Sequence, residues 1–246
     1  MQVSVEDRGA VIVTGAASGI GKAVGAALAP DWKGIALFDI NATALDAEAE
    51  ALSALGVEAM PVTIDLSDAG AIAPAIAVVR EQLGAIGGLV SNAGIIQLKP
   101  LADTSVADFD LTFAINLRAA FLLMQLVAPE MVARKYGRIV TMSSAAAKTG
   151  GSGNLGVYPP TKAALTCLTK AYARDLAPHG VRVNSVSPAF IETPMIKNLS
   201  HLVTQIPMGR LGRPEEVGDA VAYLMSDRAG FITGEDLDIN GGFLMD

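Results

Sequence analysis

Short β-branched and apolar runs alternate with longer stretches of helical periodicity from end to end of the chain. The segments AVIVTG, GIALFDI, EAMPVTID, GGLVSNAG, GRIVTMSS, VRVNSVSP and DLDING read as strands, each a short run bounded by turn-forming residues. Between them, Ile20–Leu28, Ala42–Leu55, Ala69–Leu83, Val106–Arg134, Ala163–Ala177 and Pro214–Met225 read as amphipathic helices. Strands separated by helices imply βαβ crossovers. They predict an α/β fold of Rossmann type, a doubly wound, mainly parallel seven-stranded sheet with helices on both faces. No linker, repeat or low-complexity segment divides the pattern, so residues 1–246 are expected to form a single domain. Ligands of such sheets lie beyond the carboxyl ends of the strands, and each strand here ends in polar or glycine residues.

The first strand runs directly into TGAASGIG, Thr14 to Gly21, which opens the first helix through Ser18 and Ile20. Gly15, Gly19 and Gly21 let the backbone turn tightly and approach a pyrophosphate at the helix N-terminus. The spacing is GxxxGxG, a weak signal alone. The second strand supplies context: it ends in Asp39, followed by Ile40, 18 residues beyond Gly21. A carboxylate there can accept hydrogen bonds from both ribose hydroxyls and repel a 2′-phosphate, although a solvated strand-end aspartate is the plain alternative. No arginine or lysine lies in the glycine loop, and helix surface accounts for Lys22 and Lys33, so NAD is expected rather than NADP. The third strand ends in IDLSD, placing Asp65 and Leu66 where an adenine amino group could donate. The fourth ends in SNAG, whose Asn92, Ala93 and Gly94 form a small-residue turn that a ribose could press against.

Tyr158 and Lys162, in YPPTK, stand four residues apart and so share one helix face. Proline is tolerated in a first helical turn, where the backbone N–H has no intrahelical partner. Pro159 and Pro160 therefore predict a helix start between Leu155 and Pro159, with KTGGSGNLG before it left as loop. A free tyrosine has a pKa of about 10. A neighbouring ammonium and a positive nicotinamide would both favour the phenolate, which could then take an alcohol proton as hydride leaves. A structural tyrosine beside a surface lysine is the bland reading.

Taken together, TGAASGIG, SNAG, Asn116 within FAINLRAAF, Ser144 at the end of GRIVTMSS, and YPPTK resemble the classical short-chain dehydrogenase/reductase family. The likeness covers essentially the whole chain, through NSVSPAFIETPM to GEDLDINGGFLMD, and is similar to the branch containing 3-oxoacyl carrier-protein reductases. The resemblance implies a dinucleotide-binding catalytic domain. In it Tyr158 is the general acid/base and Ser144 holds the substrate oxygen. Lys162 binds the nicotinamide ribose and lowers the tyrosine pKa. Asn116 interrupts its helix and holds a water in the proton path. Pro188, Ile191 and Thr193 line the cofactor after the sixth strand, and a short substrate lid lies around 193–207. The chain departs from the family pattern in the two prolines, in Ala189 where glycine is common, and in a slightly longer interval from Ser144 to Tyr158.

Composition narrows the remaining choices. Hydrophobic residues make up 51% and charged ones 17% of the chain, which signals a large core and, in so apolar a chain, buried subunit contacts. The family resemblance supplies the expected number, a homotetramer. A net charge of −7 without a basic cluster argues against nucleic-acid binding. No uninterrupted apolar run has membrane-spanning length, and MQVSVEDRGAVIVTG reads as a polar lead into a strand rather than a signal peptide. The single cysteine, Cys167, suits a reducing cytoplasm. His179 and His201 have no spacing partners, so no metal site is expected. Ile95, Ile96, Gly151, Asn154, Leu155, Phe190 and Met195 are the expected substrate wall, apolar and without an arginine to clamp an anion. The expected function is NAD-dependent interconversion of an uncharged secondary alcohol and ketone. The alternatives are a 3-oxoacyl reductase, which Asp39 disfavours, and a non-catalytic nucleotide-binding regulator, which would not need Asn116, Ser144, Tyr158 and Lys162 together.

Overall fold

The strands form where apolar residues alternate between two buried faces. In the computed structural model, which describes residues 4–151, 153–195 and 199–245, they are β1 (Ala10–Thr14), β2 (Gly34–Asp39), β3 (Glu58–Thr63), β4 (Ile86–Ser91), β5 (Gly137–Met142), β6 (Val181–Pro188) and β7 (Asp236–Ile239). All pair in parallel, in keeping with the mainly parallel sheet expected from the sequence, and their order is β3-β2-β1-β4-β5-β6-β7. The order reverses between β1 and β4, and at that switch point an open parallel sheet leaves a crevice beyond its strand ends.

The longer helices are α1 (Gly19–Leu28), α2 (Ala42–Ser53), α3 (Ala69–Leu83), α4 (Val106–Arg134), α5 (Tyr158–Leu176) and α6 (Pro214–Met225). Val11 and Val13 of β1, with Ile35 and Leu37 of β2, face α1, α2 and α6 and pack with Val24, Leu45, Leu52 and Val221. Ile12, Ala36 and Phe38 point to the other face, against Ile72 and Ile76 of α3 and Leu123 and Val127 of α4. This period-two division makes each strand a seam between two cores. Full burial of one such leucine or isoleucine contributes about 2 kcal/mol.

Val106–Arg134 is long and apolar enough to cross a membrane by length and composition. Its inner face, with Leu123, Met124, Val127 and Met131 fully buried, belongs to the sheet core. The helix does not run evenly: Ala114–Arg118 forms a π-turn centred on Asn116, a widening that recurs at functional sites. α5 begins at Tyr158, within the predicted window. The segment before it is not all loop, however. Ala146–Thr149 forms one short helical turn that takes in Lys148 and Thr149, because the alanine run AAAK carries helix propensity up to Gly150.

Candidate active site

A cavity of about 580 Å³ opens over the carboxyl ends of the strands. At one end β1 turns into α1 through Gly15, whose φ of +66° favours glycine. A Cβ on Gly21 would lie 1.9 Å from the Gly15 carbonyl oxygen, so only glycine lets α1 start this close to the strand. Ser18 is the N-cap of α1, yet its side chain makes no capping bond. The first-turn N–H groups thus lack a side-chain acceptor, while Gly15, Ser18, Gly19 and Ile20 all line the cavity. That arrangement fits a pyrophosphate.

Asp39 stands beside the glycine turn. Its Oδ2 accepts from the Ala17 N–H at 3.0 Å and its Oδ1 from the Asn41 N–H at 3.0 Å, so two main-chain donors fix the carboxylate at the cavity wall. Ile40, Asp65 and Leu66 line the wall next to it. The Ser67 N–H donates to Asp65 at 2.8 Å and holds that carboxyl below its ordinary pKa. Among the described lining residues Lys162 is the one cation, and it lies at the opposite end. Lys22 is engaged by Glu48 at 2.7 Å. Lys33 precedes β2 rather than lying on a helix surface, and so sits at the far end of that strand. These residues fit an adenosine, and among the described lining residues no cation lies beside Asp39.

Asn92, Ala93 and Gly94 border the middle of the cavity. The Asn92 amide serves the fold first: its Nδ2 donates to the Thr14 carbonyl at 2.9 Å and to that of Gly15 at 3.3 Å. The buried Thr14 hydroxyl accepts from the N–H groups of Asn92 and Ala93 at 3.0 and 2.9 Å. β1 and β4 are thereby tied together where their paths diverge. Sequence reasoning missed this role of Thr14, although it stands first in the glycine motif.

At the closed end lie Ser144, Tyr158 and Lys162. Ser144, whose Oγ accepts from the Ala146 N–H at 3.1 Å, lies close enough to the Tyr158 phenol to favour its ionised form. Lys162, 2% exposed, donates from Nζ to the Met142 carbonyl at 2.6 Å and lies 5.6 Å from the centre of the Tyr158 ring. Burial lowers the Lys162 pKa to about 8. Burial also pushes the Tyr158 phenol above its ordinary value, against the smaller downward pull of Ser144. The expected depression by the ammonium is absent here: partial burial is the larger influence on the phenol, and the Lys162 amino group is directed to Met142. A Cβ on Gly94 would come within 3.2 Å of Lys162 Nζ and 3.3 Å of Asn116 Oδ1, a tight fit against both side chains.

Asn116 lies behind this wall, 1% exposed, and does not line the cavity. Its Oδ1 accepts from the Ile95 N–H at 2.8 Å, and its Nδ2 donates to the Ile95 carbonyl at 3.0 Å and to Thr161 Oγ1 at 3.1 Å. Of the other expected residues, Pro188, Ile191 and Thr193 line the cavity, as do Ile95, Ile96, Gly151, Leu155, Phe190 and Met195. Gly21 lies behind the first layer. Asn154 does not join the wall: Gly153, Asn154 and Gly156 all take positive φ, and the turn they make leaves Asn154 exposed. Of the expected lid, Ile196, Lys197 and Asn198 fall outside the described residues. Leu199–Gln205 is a 3-10 helix from which Leu202 reaches the cavity. Sequence reasoning also missed Phe243, whose ring packs edge-on against Phe190 at 4.9 Å and completes the apolar wall. No group of three or more histidine, cysteine, aspartate or glutamate residues suited to a metal exists among the described residues.

A family model described as enoyl-(acyl carrier protein) reductase matches residues 15–244. The chain is 34% identical over 239 residues to the 3-oxoacyl-(acyl-carrier-protein) reductase FabG of Thermotoga maritima, covering 95% of this chain and 97% of that protein. The crystal structure of a short-chain dehydrogenase/reductase (glucose/ribitol dehydrogenase) from Brucella melitensis superposes with a TM-score of 0.88 at 36% identity, covering all of both chains. A 3-oxoacyl-(acyl-carrier-protein) reductase from Agrobacterium tumefaciens, solved with NADP bound, superposes with a TM-score of 0.89 at 30% identity, covering 95% of this chain and 93% of that one.

Proposed function

Because this chain belongs to the short-chain dehydrogenase/reductase family and is an oxidoreductase acting on CH–OH groups, we propose that it interconverts a secondary alcohol and a ketone with NAD. The observation that carries the chemistry is the convergence of Ser144, Tyr158 and Lys162 on the cavity wall, with the Lys162 amino group 5.6 Å from the centre of the Tyr158 ring. A bound nicotinamide would supply or accept the hydride. Tyr158 gives its proton to the ketone oxygen in reduction and takes it back in oxidation. Ser144 donates to the same oxygen and fixes its distance from the phenol. Lys162 and the Asn92–Gly94 turn would hold the nicotinamide ribose, Pro188, Ile191 and Thr193 would line the cofactor, and Asp39 would accept from the adenosine ribose.

NAD is preferred over NADP because a 2′-phosphate would meet Asp39 without a compensating cation, and like charges at close range cost several kcal/mol. The substrate is an uncharged ketone or alcohol, received by Ile95, Ile96, Leu155, Phe190 and Met195. A second reading, a 3-oxoacyl reductase using NADP, is favoured by the name of the Thermotoga relative and by the NADP in the Agrobacterium structure. Steady-state assays at the nicotinamide absorbance, pairing NAD and NADP with secondary alcohols, ketones and 3-oxoacyl thioesters, separate the two. Turnover confined to 3-oxoacyl thioesters with NADP would overturn the first reading.

The cellular setting we assign is the cytoplasm, consistent with the exposed free thiol of Cys167. The assembly we assign is a homotetramer. Supporting it, α4 leaves Val106, Phe109, Leu111 and Phe121 exposed, apolar surface that a second subunit would cover. A monomer by light scattering at micromolar concentration would refute it.

A further inference from the structure

The first turn of α5 is made from residues that do not favour it. Tyr158 and Pro159 each precede a proline, and pre-proline residues avoid the α region. Pro159 and Pro160 also lack N–H donors, and the N-cap Val157 offers no side-chain acceptor. Yet Tyr158 is helical, and it lines the cavity together with Ser144. One side chain bridges this turn to the rest of the site. Thr161, fully buried, donates from Oγ1 to the Tyr158 carbonyl at 2.7 Å. The same oxygen accepts from Asn116 Nδ2 at 3.1 Å. Asn116 in turn holds both main-chain groups of Ile95, in the loop that lines the cavity.

We infer that Thr161 is a positioning residue, whose hydroxyl holds Tyr158 in register with Ser144 by joining the tyrosine's own carbonyl to Asn116. A threonine hydroxyl is suited to this, since it has one proton to donate and lone pairs to accept. β-Branching leaves the side chain few rotamers, so the bridge is stiff. Lysine at 162 adds no such constraint, because its amino group is committed to Met142. The prolines make the bridge matter: they fix the backbone of the turn but supply no donor to anchor it.

The inference rests on the oxidoreductase reading, and its test separates the two. Thr161→Val removes the hydroxyl and keeps the shape, whereas Thr161→Ser keeps the hydroxyl. Thr161→Val is expected to lower kcat by about tenfold to a hundredfold, the scale of a misplaced reacting group, while the cofactor Kd is unchanged and Thr161→Ser restores kcat. A substrate-free readout is the titration of Tyr158, taken as tyrosinate absorbance of each variant minus that of the same variant carrying Tyr158→Phe. Separation of the phenol from Ser144 should move that titration to higher pH in Thr161→Val and not in Thr161→Ser. An unmoved titration overturns the inference whatever the substrate proves to be. A moved titration in a protein that turns over no alcohol or ketone fails the functional reading alone. If Thr161→Val lowers only thermal stability, with kcat intact, Thr161 is structural and the inference falls. Should Thr161→Val not fold, Thr161→Cys replaces the hydroxyl by a weak thiol donor. Reduced kcat with a raised titration supports the bridge, and values equal to those of Thr161→Ser refute it.

Discussion

At the adenosine end of the cavity the chain presents mostly main chain: a glycine turn, the N-terminus of α1, and a carboxylate pinned by two backbone N–H groups. At the closed end it presents side chains held by other side chains, Asn116 on Thr161 and Thr161 on the Tyr158 carbonyl. The first end needs only that the backbone come close enough, so its demands fall on residues without side chains. The second must place a hydroxyl within hydrogen-bond reach of a reacting oxygen, and every supporting contact is a point of failure. Substitutions that remove functional groups should therefore act mainly on turnover at the closed end and mainly on cofactor choice at the other.

The sharpest break in that comparison is Tyr158→Phe. It should lower kcat at least a hundredfold, the range assigned to a positioned acid/base, while cofactor Kd by fluorescence titration stays within about twofold. Retention of more than a few per cent of the activity would remove Tyr158 from the proton path.

Lys162 tests whether the closed end is as dry as its geometry states. Its folded pKa of about 8 lies below the ordinary 10.5. The folded state therefore carries a buried charge below about pH 8, and that penalty fades as pH rises toward 10.5. Between these values the unfolded chain binds more protons, so this group's contribution to stability rises with pH. Urea unfolding of the native protein and of Lys162→Met should show the native protein gaining on the variant across that window, by about 3 kcal/mol in all. Parallel pH curves would mean the amino group is hydrated.

At the other end, Asp39→Asn should leave kcat with NAD nearly unchanged and raise the kcat/KM for NADP about a hundredfold, by removing the like charge. An unchanged NADP/NAD ratio would show that Asp39 does not face the ribose.

The same division explains what could be read from the sequence. Six of the seven strands are legible to within two residues and the fourth to within three, because short apolar runs give way to turn-forming residues at their ends. The pyrophosphate turn is legible because close approach demands glycine, and Tyr158 with Lys162 because helical spacing puts them on one face. The Met142 carbonyl that receives Lys162 has no signature, since any residue supplies a carbonyl. Phe243 was hidden by its distance along the chain from Phe190, although the fold brings the two rings together. Asn154 was misplaced because the direction of a loop side chain depends on dihedral angles, here three positive φ values in four residues.

The smallest expected effect concerns the two prolines, and it separates the start of the catalytic helix from the placement of its tyrosine. Pro159 and Pro160 occupy positions whose N–H groups would find no intrahelical acceptor, and the Thr161 N–H to the Val157 carbonyl, at 3.2 Å, closes the first main-chain bond. Pro160 is exposed, whereas Pro159 is buried beside Gly151. Replacing them with alanine and serine leaves the Thr161 hydroxyl on the Tyr158 carbonyl and Ser144 beside the phenol. The turn keeps its anchors and loses only its stiffness. The double variant should therefore retain kcat within about threefold, since no reacting group moves far. It should lose about 1 kcal/mol of stability, because the unfolded chain regains the freedom that proline removes. Steady-state kinetics with urea unfolding on the same preparation checks both. A tenfold or larger fall in kcat with unchanged stability would make the prolines, rather than Thr161 and Ser144, the elements that place the tyrosine.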